Sequence, residues 1–219
     1  GGNPGRHAPA LLFLPRSLDP WTLGSPGLCR AFAHPPRAGT LHAMVLLLNA
    51  QQLQEKLENL ARAIAAAAPR DVPVAVVGIR RRGETLARRL LPLLERAGLK
   101  PAHYGALDIT LYRDDLTTIG PSAVVRETEI DFDITDTWLV LVDDVLYTGR
   151  SVRAALDALT DLGRPKAIRL AVLVDRGLRE LPIQADFVGL RTDTQPQQSV
   201  DVRLLEVDGV DEVELNGRR

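Results

Sequence analysis

Leu139-Val140-Leu141-Val142-Asp143-Asp144-Val145-Leu146-Tyr147-Thr148-Gly149-Arg150-Ser151 is the stretch that decides the fold. Four apolar residues run into two adjacent carboxylates, then a short Thr-Gly turn, then Ser151–Leu162. In that last segment Val152, Ala155, Leu156, Leu159 and Leu162 fall at helical spacing. An unbroken apolar run marks a strand buried on both faces. A strand passing by a tight turn into an amphipathic helix is half of a β-α-β unit. Gly163 closes the helix and Pro165 follows shortly.

The same grammar extends in both directions. Asn49 reads as the N-cap of a helix through Ala68, with Leu53, Leu57, Leu60 and Ile64 on one stripe, behind a short apolar run, Val45–Leu48. Val74–Ile79 is a β-branched run, and Thr85–Ala97 a helix with Leu86, Leu90, Leu93 and Leu94 inward. Ala106–Leu111 predicts a weaker strand and Trp138–Val142 a buried one. Ile168–Val174, Asp186–Leu190 and Val200–Val207 complete the set. Alternating strands and helices predict an α/β fold, a parallel sheet flanked by helices. In such sheets ligands bind beyond the carboxyl ends of the strands. The informative residues are therefore those after Ile79, Leu111, Val142 and Val174.

Composition sets limits. The chain has 219 residues, 25% charged and 45% hydrophobic, which suits one globular domain or a domain with a tail. Lys+Arg 27 against Asp+Glu 28 excludes binding to nucleic acid by bulk positive charge. The single Cys, Cys29, excludes an intrachain disulfide framework and a multi-cysteine zinc site. Residues 1–43 hold 7 of 15 Pro, 6 of 17 Gly and one acid, Asp19, against four Arg. They are expected to be a disordered N-terminal extension, with Met44, the sole methionine, as the natural start; an acid-poor targeting leader is the rival. Residues 44–219 carry a net charge of −4 and are expected to be the working domain, cytoplasmic. No run approaches the ~18–20 apolar residues of a membrane span, so no membrane partner is expected.

The quoted stretch also carries chemistry. Carboxylates at a strand end accept hydrogen bonds from vicinal ribose hydroxyls. A turn opening a helix presents unpaired N–H groups to an anion, Gly149 permits close approach, and Thr148 and Ser151 add hydroxyls. Together they read as a cradle for a ribose 5-phosphate. The plainer alternative is a solvated acidic turn with a helix cap. Arg80-Arg81-Arg82 lies between a strand and a helix, where cations oppose the helix dipole; a bound diphosphate would remove the conflict. Tyr112–Asp136 is long for a connection and suggests a lid, or else a surface hairpin. His103 reads as structural, and Glu206-Val207-Asp208-Gly209 as a solvated edge.

The stretch resembles the phosphoribosyl-diphosphate (PRPP) motif of type I phosphoribosyltransferases. Val142–Arg164, with Leu170-Ala171-Val172-Leu173-Val174-Asp175-Arg176-Gly177, Arg179-Glu180-Leu181-Pro182-Ile183 and Asp108-Ile109-Thr110-Leu111-Tyr112-Arg113-Asp114-Asp115-Leu116, is similar to one branch, the PyrR family of bifunctional pyrimidine-operon regulators and uracil phosphoribosyltransferases. The resemblance spans about residues 45–215. It implies a type I phosphoribosyltransferase fold with a small hood and a flexible lid loop. The implied reaction is uracil + PRPP → UMP + diphosphate, with Mg²⁺ carried on PRPP and held with Asp143 and Asp144.

The resemblance makes Asp143, Asp144 and Arg113 the expected catalytic residues. The expected PRPP contacts are Val142, Val145, Leu146, Tyr147, Thr148, Gly149, Arg150 and Ser151, with Arg80, Arg81 and Arg82 on the diphosphate, the loop often opening on a non-proline cis peptide. Asp175 and Arg176 lie beside the base. The family's second role implies binding to pyrimidine leader mRNA under UMP/UTP control, with Arg62, Arg169 and Arg179 as the expected contacts. Leu178 and Gln184 stand where many members carry His and Arg. An enzyme without RNA regulation, or a purine phosphoribosyltransferase, is the alternative. Leu53, Ile119, Val124, Val125 and Ile130 lack an obvious internal partner, so a homodimer or tetramer is expected.

Overall fold

The computed structural model describes residues 44–114 and 127–217. The expected extension, Cys29, Ile119, Val124 and Val125 lie outside them. The elements in chain order are β1 Met44–Leu48, α1 Ala50–Ala67, β2 Val74–Ile79, α2 Arg82–Arg96, β3 His103–Leu107, β4 Trp138–Leu146, α3 Arg150–Leu162, β5 Ala167–Asp175, β6 Phe187–Arg191, β7 Gln198–Arg203, α4 Leu205–Asp208 and β8 Glu212–Gly217. Strands β2 to β6 form one parallel sheet in the order β3-β2-β4-β5-β6. A smaller antiparallel sheet, β1-β8-β7, forms the hood.

Strand periodicity divides the core. Val140 and Val142 join α1 and α2 on one face, with Leu53, Leu57, Leu86 and Leu90. Leu139 and Leu141 face α3 on the other, with Val152, Ala155 and Leu159. Helix α1 starts where expected, at an Asn49–Gln52 capping box: Gln52 N–H donates to Asn49 (2.9 Å), and Asn49 N–H donates to the Gln52 side chain (3.0 Å).

Two glycines set how closely α2 approaches the sheet. A Cβ on Gly78 would lie 2.5 Å from Glu84 Cα, and one on Gly83 2.5 Å from the Val142 carbonyl oxygen. Both obstacles are backbone, which cannot swing aside. Gly83→Ala should therefore destabilise the protein by about 1–3 kcal/mol despite alanine's better helix propensity of ~1 kcal/mol. Urea unfolding measures it; an unchanged midpoint would refute the packing argument.

Several boundaries differ from expectation. β3 covers His103–Leu107 rather than Ala106–Leu111. It pairs residue for residue with β2, Ala75 to Ile79, and ends where β2 ends. The Asp108 carboxylate then accepts from the Thr110 N–H (2.7 Å) and hydroxyl (2.5 Å), turning the chain into a 3₁₀ turn over Thr110–Tyr112. Helix α2 begins at Arg82, three residues early, directly after a cis Arg80–Arg81 peptide. β4 runs four residues past Val142, because β5 keeps pairing with it as far as Leu146–Asp175. The late strand stops at Arg203, and β8 was not foreseen.

Glu206 to Gly209 lie exposed at the edge, as expected, but the two carboxylates there are also paired. Asp208 binds Arg82 (2.9 Å), while Glu206 and Asp211 both bind Arg89, tying the hood to α2. Leu53 and Ile130 are not unpartnered: Leu53 is 1% exposed, and Ile130 packs on the core around α3. Met44, Val45 and Leu46 of β1 are instead among the exposed apolar residues. His103 stacks on Phe132, centroids 4.5 Å apart, in keeping with a structural role. No helix among the described residues is long and apolar enough to cross a membrane.

Candidate active site

The strand order places a topological switch between β2 and β4. The chain leaves β2 for β3 on one side, then returns to build β4 and β5 on the other. Loops at the carboxyl ends of β2 and β4 therefore diverge and leave a crevice. The register shows how far it opens. β2 pairs with β4 only to Gly78–Val142, so Asp143 and Asp144 have β5 on one flank and the Arg80–Arg82 loop on the other.

Two depressions meet there. A cavity of about 590 Å³ is lined by Arg113, Asp114, Asp143 and Val145 to Val152. One of about 250 Å³ is lined by Ile79 to Arg82, Asp108 to Thr110, Arg113, Asp143 to Val145 and Ser151. Asp143, Val145, Ser151 and Arg113 border both. The first has the form of an anion cradle. Gly149 sits at φ +92° as N-cap of α3, and no side chain caps that helix. Among the described residues, the N–H groups of Tyr147, Thr148 and Gly149 have no main-chain acceptor. First-turn N–H groups of a helix add to this array and favour a negative charge.

The three arginines are not equivalent. Arg80 is turned inward between Glu84 (3.6 Å) and Glu129 (2.6 Å), with its Nε buried and unbonded among the described residues. Arg82 is held by Asp208 through Nε (3.3 Å) and Nη2 (2.9 Å). Arg81 is exposed, starts a helix that no side chain caps, and has no ion pair among the described residues. It is the cation of the three most available to an incoming anion. Arg150 lies at the mouth of the cradle, paired with Glu180 (2.7 Å) and Asp114 (2.5 Å). The start of the expected lid is moored to α3: Tyr112 donates to Asp161 (2.6 Å) and Arg153 donates to the Tyr112 carbonyl (3.0 Å).

Burial pushes the Asp143 carboxyl well above the usual range, and the neighbouring Asp144 charge pushes the same way. Burial also raises Asp144, opposed by the Val145 N–H and by the Arg82 charge. Two crowded carboxylates of this kind suit a hard divalent cation. No third His, Cys, Asp or Glu joins them among the described residues, so the donor set fits Mg²⁺ that keeps substrate oxygens and waters as its other ligands.

After β5, Arg176 is 5% exposed and faces inward. It donates to Thr194 (3.1 Å) and to the Gln195 and Gln198 carbonyls, and lies 4.0 Å over the Tyr147 ring. Asp175 accepts from Gly177 N–H (3.1 Å) and Arg179 (2.5 Å). Both side chains are thus engaged in holding the loop, and so is the Arg176 main chain, whose N–H donates to the Leu146 carbonyl (3.1 Å) and whose carbonyl accepts from the Thr194 hydroxyl (3.1 Å).

Arg179 is not the surface cation that was expected. Its guanidinium lies between that loop and the end of β4, bonded to the carbonyls of Leu146, Tyr147, Gly177 and Ile183 as well as to Asp175. Arg62 and Arg169 remain at the surface. They bond Asn59 (2.5 Å) and Asp186 (3.1 Å), two residues that line one depression together with Arg191. Sequence pattern carried no signal for Gly83 or Asp208, whose roles depend on contacts remote in the chain.

A model of the phosphoribosyl transferase domain matches residues 46–206. A Thermus aquaticus protein named Bifunctional protein PyrR is 54% identical over 169 residues, 77% of this chain and 93% of that protein. One of the same name from Roseiflexus sp. is 54% identical over 165 residues, 74% and 89% of the two chains. Among solved structures, the Trypanosoma cruzi hypoxanthine phosphoribosyl transferase superposes with a TM-score of 0.60 over 80% of this chain and 91% of its own; at 14% identity it speaks for the fold alone.

Proposed function

Since the chain belongs to the PyrR family of phosphoribosyltransferases, we propose that it transfers the phosphoribosyl group of PRPP to uracil, giving UMP and diphosphate. The observation that carries this is the junction of two depressions at Asp143. One side offers backbone N–H groups and hydroxyls to a 5-phosphate; the other offers Arg81 to a diphosphate. PRPP has an anion at each end of a ribose, and Asp143 and Asp144 stand between the two subsites. Residues 44–219 form the catalytic domain, with residues 1–43 an extension ahead of it.

The reaction needs no covalent nucleophile. The bond from the anomeric carbon to diphosphate breaks, its electron pair leaving on the diphosphate oxygen, and a bond to uracil N1 forms as N1 gives up its proton to solvent. Asp143 and Asp144 accept from the ribose hydroxyls and favour the positive charge that develops on the sugar. Val142 and Val145 to Ser151 hold the phosphate end. Arg81 with the α2 N-terminus stabilises the departing diphosphate, and Arg113 comes from the lid side. Bound with PRPP at Asp143 and Asp144, Mg²⁺ would neutralise charge on the leaving group. The loop after β5, which carries Asp175 and Arg176, borders the base.

The chain's place in the PyrR family leads us to propose a second role, regulation through pyrimidine leader mRNA under UMP/UTP control; with it we propose a dimer or tetramer, since β1 leaves Met44, Val45 and Leu46 exposed. Arg62 and Arg169 are the surface cations for the RNA. Radiolabelled uracil, hypoxanthine and guanine, each offered with PRPP and Mg²⁺, test the enzyme. UMP should form at least about tenfold faster than either purine nucleotide, the scale of a site matched to one base edge. A purine preference would overturn the base assignment. In a gel shift with the host's pyrimidine leader RNA, Arg62→Glu should weaken binding; unaltered affinity would exclude that surface.

A further inference from the structure

The Arg179 guanidinium is only 20% exposed along its side chain, and its partners belong to two different loops. Nη1 reaches the carbonyls of Leu146 (3.3 Å) and Tyr147 (2.8 Å), at the start of the phosphate cradle. The same nitrogen reaches the Gly177 carbonyl (3.0 Å), Nη2 the Asp175 carboxylate (2.5 Å) and Nε the Ile183 carbonyl (3.0 Å). Gly177 and Leu178 have φ of +73° and +58°, a reversal that carries Arg179 back across the end of β4.

The neighbouring backbone works in the same sense. Arg176 N–H donates to the Leu146 carbonyl (3.1 Å), and the N–H groups of Glu180 and Leu181 donate to the Thr148 carbonyl (3.0 and 3.1 Å). All three carbonyls from Leu146 to Thr148 are therefore held on one side. A peptide unit is planar, with its N–H and C=O pointing in opposite directions. Fixing the carbonyls outward constrains the following N–H groups, those of Tyr147, Thr148 and Gly149, to the cradle side.

Resting on the active-site reading above, we infer that Arg179 is a positioning residue. It pre-sets the backbone of the phosphate cradle from behind and never touches substrate. Preorganised donors need no rearrangement when the anion arrives. A guanidinium suits this task because its planar fork bonds several acceptors at once, which a lysine ammonium on a flexible stem cannot copy.

Ribose 5-phosphate is the probe, because it occupies the cradle without a base or diphosphate. Calorimetric titration of Arg179→Met should show affinity lower by about tenfold or more, the scale of losing charge-assisted bonds. Arg179→Lys should fall between Met and wild type. In the transfer assay the KM for PRPP should rise at least about threefold more than the KM for uracil, since a local binding defect acts on one substrate. Ribose 5-phosphate affinity within twofold of wild type in Arg179→Met would overturn the inference, whatever its melting temperature. Should the Met variant fail to fold, wild-type affinity in Arg179→Lys would overturn it equally. If the wild-type protein takes up no ribose 5-phosphate, the active-site reading itself falls and the inference falls with it.

Discussion

Asp144→Asn is expected to cut UMP formation by about 100-fold or more, the scale of a lost positioned catalytic group, and to raise the melting temperature at neutral pH. The two effects share one cause. Burial holds the Asp144 carboxyl above its usual range, so the folded protein binds that proton more tightly than the unfolded chain does. Stability from such a group is fully present below its unfolded pKa and is lost as pH rises through the folded one. Asparagine keeps the shape, carries no charge, and also relieves the neighbouring Asp143 of a like charge. The variant's advantage should thus grow with pH and vanish near about pH 3, below the ordinary Asp value of ~3.9, where the carboxyl is largely protonated in either state. Thermal melts from about pH 3 to 8 beside the transfer assay give both readings. Full turnover with an unchanged PRPP KM would remove Asp144 from the site.

Arg81→Ala should raise the PRPP KM by about 10- to 100-fold, corresponding to the 1.5–3 kcal/mol of a hydrogen bond to a charged group. The KM for uracil should move far less. Arg81 is exposed at an uncapped helix start, so its removal disturbs no packing. Arg82→Ala is a different experiment. That guanidinium is bound to Asp208 and its charge opposes the rise in the Asp144 pKa, so its loss alters the hood contact and the carboxylate together. Equal losses for both substrates in Arg81→Ala would refute the diphosphate assignment.

The parallel sheet was legible because β2, β4 and β5 are largely apolar runs, and α1 because Asn49 and a leucine stripe announce it. The phosphate cradle was legible for another reason: its residues are consecutive, so one stretch of sequence contains nearly all of it. What escaped depends on pairing between distant segments. Asp143 and Asp144 look like a strand's end, yet they stay in β4 because β5 continues beside them. Arg179, in a polar loop, carries the pattern of a surface cation; only the left-handed turn at Gly177 and Leu178 brings it inside. The ion pairs of Glu206 and Asp208 went unread because their arginine partners lie more than a hundred residues earlier.

The small sheet is assembled from opposite ends of the described chain: Met44 pairs with Asn216 and Leu48 with Val213. During synthesis, β1 leaves the ribosome first and must wait for β8, the last strand to emerge. The five-stranded sheet has all its members by Arg191 and can close earlier. The crevice between β2 and β4 is thus framed before its cover exists, and until then β1 shows Val45 and Leu46 on an unpaired edge. A nascent chain halted after β6 would have the sheet for catalysis and an unpaired strand that invites association.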